Sequence, residues 1–198
     1  MYQVKSINNI EQLKDCSVFP IDQYQWTNNY RPKAYGQMAL LQNYGIVISM
    51  TAIESNPLRR YTKENDPVYK DSGLEAFLNF NPGQTMNYCN FEMNANGALL
   101  SQFGEGRSRK WMNELTSYRA DCEATIQEDS WSVLLRIPME LICDLFHIEP
   151  LKTGDRLTCN FYKISEDPSI EHYASYAPIV NETPNFHLPE FFGEAIIG

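Results

Sequence analysis

Carboxylates, amides and tyrosines recur at alternate positions in the middle of this sequence. Glu75 and Asn79 share one face of the segment Leu74 to Phe80, and Tyr88, Asn90, Glu92 and Asn94 share one face of the next. Asn81-Pro82-Gly83-Gln84 turns the chain between the two segments, so both polar sets are expected on a single exposed surface. Asn160 and Tyr162 repeat the mixture later. Asn and Glu present planar, paired hydrogen-bonding groups suited to the adjacent hydroxyls of a sugar. Tyr adds an apolar ring with a polar tip, on which the axial C–H face of a pyranose can pack. The alternative reading of the same pattern is a polar sheet face without a ligand.

The elements that must carry these residues have a period of two. Met38 to Gln42 and Ile46 to Met50 flank the turn Asn43-Tyr44-Gly45. Alternation continues through Leu74 to Phe80, Cys89 to Met93, Cys122 to Ile126 and Leu157 to Phe161, and Asn96-Gly97 turns the chain into Ala98-Leu99-Leu100. Trp131 to Ile137 is apolar nearly throughout and is expected in mid-sheet, covered on both faces. Ala195 to Ile197 forms a short closing strand. Helix is confined to a turn or two at Asn9 to Lys14 and at Pro138 to Cys143, the latter with proline at its start. Short strands joined by Gly, Pro and Asn turns predict an all-β fold, a two-sheet antiparallel sandwich of jelly-roll or immunoglobulin-like kind. No repeat or linker divides residues 1–198, which read as one domain with residues 1–34 as a lead-in.

The chain has 198 residues and a formal charge of −9, a balance that argues against a nucleic-acid surface. No stretch reaches the ~20 apolar residues of a membrane span. Met1 to Asn9 has no apolar signal core, which favours the cytoplasm for the chain as given, or an extracellular setting if a leader has been removed. Five cysteines without C-x-x-C spacing read as buried small hydrophobes.

Several stretches together resemble family 9 carbohydrate-binding modules and their relatives. Asp66-Pro67-Val68-Tyr69-Lys70-Asp71-Ser72-Gly73-Leu74-Glu75-Ala76-Phe77-Leu78 is similar to that family's aromatic followed by D-x-x-x-E-x-F and a hydrophobic strand. Asn90 to Gly97, Trp131 to Pro138, Gly154 to Lys163 and Asn185 to Gly193 resemble its later pieces in order and spacing, so that the likeness spans about residues 35–197. The resemblance implies an antiparallel β-sandwich and non-catalytic binding of the ends of sugar chains, with a terminal sugar held between two aromatic rings. By the same resemblance Tyr69 matches one ring, Glu75 the carboxylate after it, and Asn90, Glu92 and Asn94 the strand of further polar contacts. The second ring falls to Tyr173 or Tyr176. This chain departs from the family in offering Tyr where the modules use Trp, and in carrying Arg136 in a strand where relatives often have a carboxylate. Structural calcium is also implied, with Glu64, Asp66 and Asp71 as its candidate ligands, although no ordered ligand loop is visible.

Gly104-Glu105-Gly106-Arg107-Ser108-Arg109-Lys110 lacks the spacing of a phosphate loop and reads as a basic surface loop from which an Arg could reach a sugar. His147, His172 and His187 have no metal-pair spacing, and His187 reads as structural. Asn181-Glu182-Thr183 fits the N-glycosylation rule, which needs a secreted protein. Two alternatives stand beside sugar binding: a glycosidase using Glu75 and Glu92, and an interaction domain that has lost its ligand.

Overall fold

The computed structural model describes residues 1–27 and 29–198. The described strands are β1 (Tyr2–Ile7), β2 (Val18–Ile21), β3 (Gln23–Tyr24), β4 (Ala34–Leu41), β5 (Gly45–Ala52), β6 (Gly73–Asn79), β7 (Tyr88–Asn94), β8 (Leu99–Glu105), β9 (Ser108–Trp111), β10 (Asp121–Ile126), β11 (Trp131–Pro138), β12 (Arg156–Ser165), β13 (His172–Ser175) and β14 (Gly193–Ile197). Two short α-helices, α1 (Met112–Leu115) and α2 (Met139–Phe146), and 3-10 turns at Ile10–Asp15, Val68–Lys70 and Pro189–Phe191 complete the chain. Pro138 precedes α2, and the helix buries Leu141, Ile142, Leu145 and Phe146 before stopping at His147, whose backbone is left-handed. The stretch 1–34, read from the sequence as a lead-in, supplies β1, β2 and β3.

The strands form two sheets that share β1. One runs β14-β12-β6-β7-β8-β9, with β13 beside β12 and β3 beside β13; the other runs β10-β11-β5-β4, with β2 beside β4. Their facing sides enclose one apolar core, in which Met38, Ile48, Met50 and Val133 of one sheet meet Leu74, Ala76, Phe91 and Phe161 of the other. Phe19 stacks on Phe161 with ring centroids 3.8 Å apart. Gly36 makes room for this stack, because a Cβ there would stand 2.5 Å from the Phe19 ring. Cys89 and Cys159 lie fully buried, and all five cysteines are free.

The strictly antiparallel arrangement expected from the sequence is corrected at the seam. β1 runs parallel to both neighbours: Tyr2–Val4 pair with Ala195–Ile197, and Lys5–Ile7 pair with Ala39–Leu41. Hairpin turns force antiparallel pairing between consecutive strands. No turn joins β1 to β14 or β4, so its direction is free to be parallel. A second correction concerns β11, which is covered fully on one face only. Ser132, Leu134 and Arg136 on its other face are partly exposed, and Arg136 reaches out to Asp121 and Glu123 there.

One polar knot is sealed within the core. Lys163 has no exposed surface, and its ammonium donates to Ser72 Oγ at 2.6 Å while lying 2.8 Å from His172 Nε2 and 3.5 Å from Glu54 Oε2. Glu54 also accepts from Tyr30 at 2.7 Å, from the Trp131 indole at 2.9 Å and from Ser72. Burial pushes the Lys163 ammonium down to about 8 against the pull of Glu54. Burial alone would raise the Glu54 carboxyl, but Lys163 and the three donors together hold it below its ordinary value. The knot ties β12 to the segment 53–72, which leads into β6. Replacing Lys163 by Met leaves the Glu54 carboxylate buried without its counter-ion. Urea denaturation is expected to show a loss of about 3–5 kcal/mol, and a loss below about 1 kcal/mol would show that the pair contributes little.

Candidate functional site

The outer face of the β12-β6-β7-β8-β9 sheet is built by register. Tyr162, Glu75, Glu92 and Leu100 face one another across four strands, and Asn160, Phe77, Asn90, Gln102 and Trp111 form the next row across five. This is the surface that the alternation predicts to be exposed. It is instead covered: Glu75, Asn79, Tyr88, Asn90, Glu92, Asn94, Asn160 and Tyr162 are all buried. The cover is the segment 177–192, whose Ile179, Phe186 and Phe192 pack on Phe77, Tyr88 and Tyr162. Phe186 stacks on Tyr162 at 4.1 Å, and its carbonyl accepts from the Tyr162 hydroxyl at 3.2 Å. Sequence reasoning missed the cover because its anchors are backbone groups. Asn160 holds Ala177 by both backbone groups, and the Trp26 indole donates to the Asn181 carbonyl at 2.9 Å.

The cover leaves a cavity of about 470 Å³ over the sheet. Of the ten ligand-binding candidates, Tyr69, Glu75, Glu92 and Tyr173 line it. Tyr88, Asn90, Asn94, Asn160 and Tyr162 lie in the surrounding framework. Asn94 donates to the Tyr61 carbonyl at 2.8 Å and to Asp71 at 2.9 Å, so it positions the loop that carries Tyr69. Tyr176 lies elsewhere, beside Phe19 and Phe161 in the core between the sheets. The cavity gains Gln102, Arg107, Arg109, Trp111, Glu166, Asn185, Phe186 and His187. Arg109 comes from the expected basic loop, the β8–β9 hairpin. Gln102 and Trp111 carry no motif, and only their register with Asn90 marks their side of the sheet.

Aromatic and charged groups divide the lining. Tyr69 and Trp111 pack around Val68 and Leu100, while Tyr173 meets Phe186 edge to face at 6.0 Å. Arg109 donates to Gln102 at 3.1 Å and to the Gly106 carbonyl, and Arg107 donates to Asn185 at 3.4 Å. His187 stacks on Phe77 at 5.1 Å, and its Nδ1 lies 3.0 Å from the Tyr88 hydroxyl. Burial, helped by Arg109 and Arg107, pushes this imidazole down to about 3, so it is neutral. Glu75 and Glu92 stand directly opposite each other on adjacent strands, 2% and 4% exposed. Asn90 donates to Glu92 Oε1 at 3.0 Å, whereas Glu92 Oε2 and Asn90 Oδ1 are buried without a partner. Burial is the main force raising Glu92 to about 7, and burial with the neighbouring Glu92 and Glu166 raises Glu75 well above the carboxylate range.

The calcium candidates are placed apart from this lining. Asp71 accepts from the Arg60 and Tyr61 amides, the Arg60 guanidinium and Asn94, and Asp66 accepts from the Thr62 and Lys63 amides. Among the described residues no group of three or more His, Cys, Asp and Glu side chains is placed to hold a metal ion.

Residues 5–197 match the family described as carbohydrate-binding family 9. The chain belongs to carbohydrate-binding family 9. Three solved structures share the fold of this family 9 chain. A Bacteroides uniformis protein, provisionally described as carbohydrate-binding, superposes with a TM-score of 0.81 at 22% identity over 99% of this chain and 98% of that one. A family 9 module from Caldicellulosiruptor kristjanssonii in complex with cellotriose gives 0.71 at 14% identity, over 99% and 92% of the two chains. Its complex with glucose gives 0.69 at 14%, over 99% and 95%. No curated protein sequence matches the chain.

The acid pair of this family 9 chain sets a pH dependence. Glu92 carries a proton more tightly when folded, near 7, than at its ordinary 4.5. Its contribution to stability is therefore complete below 4.5 and is lost as the pH rises through about 7. Between about pH 5 and 8, the melting temperature of the wild type is expected to fall by several degrees relative to Glu92→Gln. Parallel profiles for the two proteins in differential scanning calorimetry would contradict this.

Proposed function

We propose that this chain binds, without transforming it, the end of a neutral glycan in the cavity between the outer sheet face and the segment 177–192. The observation that carries the reading is a buried acceptor without a donor, Glu92 Oε2, on a lining residue that shares the cavity with Tyr69, Trp111 and Tyr173. Buried acceptors of this kind are stabilised by hydroxyl donors from a ligand. Aromatic rings beside them suit the C–H faces of the same ligand. Membership of a carbohydrate-binding family points the same way. Cellotriose and glucose, bound by the Caldicellulosiruptor kristjanssonii module, are the first ligands to try.

Titration calorimetry with cello-oligosaccharides should show saturable binding, weakened about tenfold or more by Tyr69→Ala or Trp111→Ala. Tyr176→Phe, between the sheets, should bind as the wild type does. Binding that ignores both Tyr69 and Trp111 would remove the cavity as the site. Hydrolysis of an oligosaccharide that disappears in Glu75→Gln would overturn the non-catalytic reading.

A further inference from the structure

We propose that Glu75 and Glu92 act as one unit holding a single proton, which offers the glycan one carboxyl O–H and one carboxylate, so that binding weakens as that proton leaves. The inference rests on the cavity being the glycan site, and it adds a protonation state to that site.

The geometry of the pair carries it. The two residues are register partners on one face, where Cβ atoms stand about 4.5–5.5 Å apart. Both are nearly sealed from water, and neither enters an ion pair among the described residues. The cations nearby pull the other way without offsetting burial: Arg109 lowers both carboxyls and Lys163 lowers Glu75, yet both stay raised. Arg109 is held by Gln102 and Gly106, Arg107 by Asn185, and Lys163 lies on the opposite face of β12 with Ser72 and Glu54. Glu166 adds a third carboxylate to the lining. The remaining titratable neighbours bring no charge: His187 is neutral, and the hydroxyls of Tyr88, Tyr162 and Tyr173 rest on Gly106 and His187, Phe186, and Glu171 respectively, with Tyr69 beside the cavity. Two like charges this close in a dry site cannot both persist near neutral pH, so one carboxyl keeps its proton. The Asn90 amide donates to Glu92 and supports charge there, so Glu92 releases its proton first, near 7, and above that pH the one proton left sits on Glu75. The opposite directions of need then match a sugar hydroxyl, itself both donor and acceptor: Glu75 donates, and Glu92 Oε2 receives. When the proton leaves, two repelling acceptors remain.

Two measurements test this. Carboxyl ¹³C NMR of glutamate-labelled, ligand-free protein should show a carboxyl that still titrates above about pH 6 and that vanishes from the spectrum in Glu75→Gln or changes in Glu92→Gln. Titration calorimetry with cellotriose should show wild-type affinity falling about tenfold or more between pH 7.5 and pH 9. Glu75→Gln, whose amide donates at every pH, should vary less than about twofold over that range and should bind more tightly than the wild type at pH 9. Two ionised carboxylates at pH 6 overturn the inference whatever the sugar does. Cellotriose affinity that is flat with pH overturns it while leaving the glycan site standing. If no cello-oligosaccharide binds at any pH, the glycan site fails, and the donor–acceptor role of the pair fails with it.

Discussion

A polar strand face that has been roofed over must satisfy each of its hydrogen-bonding groups or leave it open for a ligand. That constraint organises this molecule. The outer face of the β12-β6-β7-β8-β9 sheet carries carboxylates and amides where a sandwich would ordinarily meet water. The segment 177–192 closes over it. Most of the groups so buried find internal partners: Asn94 in the loop around Tyr61 and Asp71, Asn160 in Ala177, and Tyr162 in Phe186. The few that do not are gathered at Asn90 and Glu92, beside the cavity.

The framework around that gap is held from two directions. Beneath it, the Glu54–Lys163 knot joins β12 to the segment entering β6 and carries charge into an apolar core, where it stands only because each partner is fully engaged. Beside it, Asp71 gathers the Arg60 and Tyr61 amides, and the 3-10 turn at Val68–Lys70 presents Tyr69. Neighbouring residues serve the two anchors, Asp71 the loop and Ser72 the knot, so the aromatic loop and the acid-bearing strand are fixed by the same short stretch of chain. Preorganisation of this kind limits the ordering that a ligand must impose.

Much of the fold is written in local pattern. The alternation in β6, β7, β10 and β12 and the turns at Asn43-Tyr44-Gly45 and Asn96-Gly97 each follow from a few neighbouring residues. Glu75 and Glu92 could be placed on one surface because a hairpin joins their strands. What escaped depends on distant parts of the chain. The parallel pairing of β1 joins residues near opposite ends of the sequence, and no turn announces it. The burial of the polar face depends on a loop that carries little periodicity. Trp111 reaches the cavity through two successive hairpins, and a shift of one residue in either would turn its ring to the other face. Tyr173 and Tyr176 were equivalent in the sequence, but three residues of β-structure and the bend after Ser175 send one to the cavity and the other to the core.

The β8–β9 hairpin gives the cavity a different kind of boundary from the rest. β9 is bonded to the sheet along β8 alone, and two residues, Gly106 and Arg107, link the strands. Gly104, at φ +150°, lets the strands close where a Cβ would lie 2.3 Å from the Ser108 carbonyl oxygen. Arg107, Arg109 and Trp111 thus share an edge element whose replacement disturbs few core contacts. Within such an architecture, ligand preference can drift while the fold is conserved: the acid-bearing strands are locked into the sandwich, and the hairpin is the part on which natural variation can act most freely.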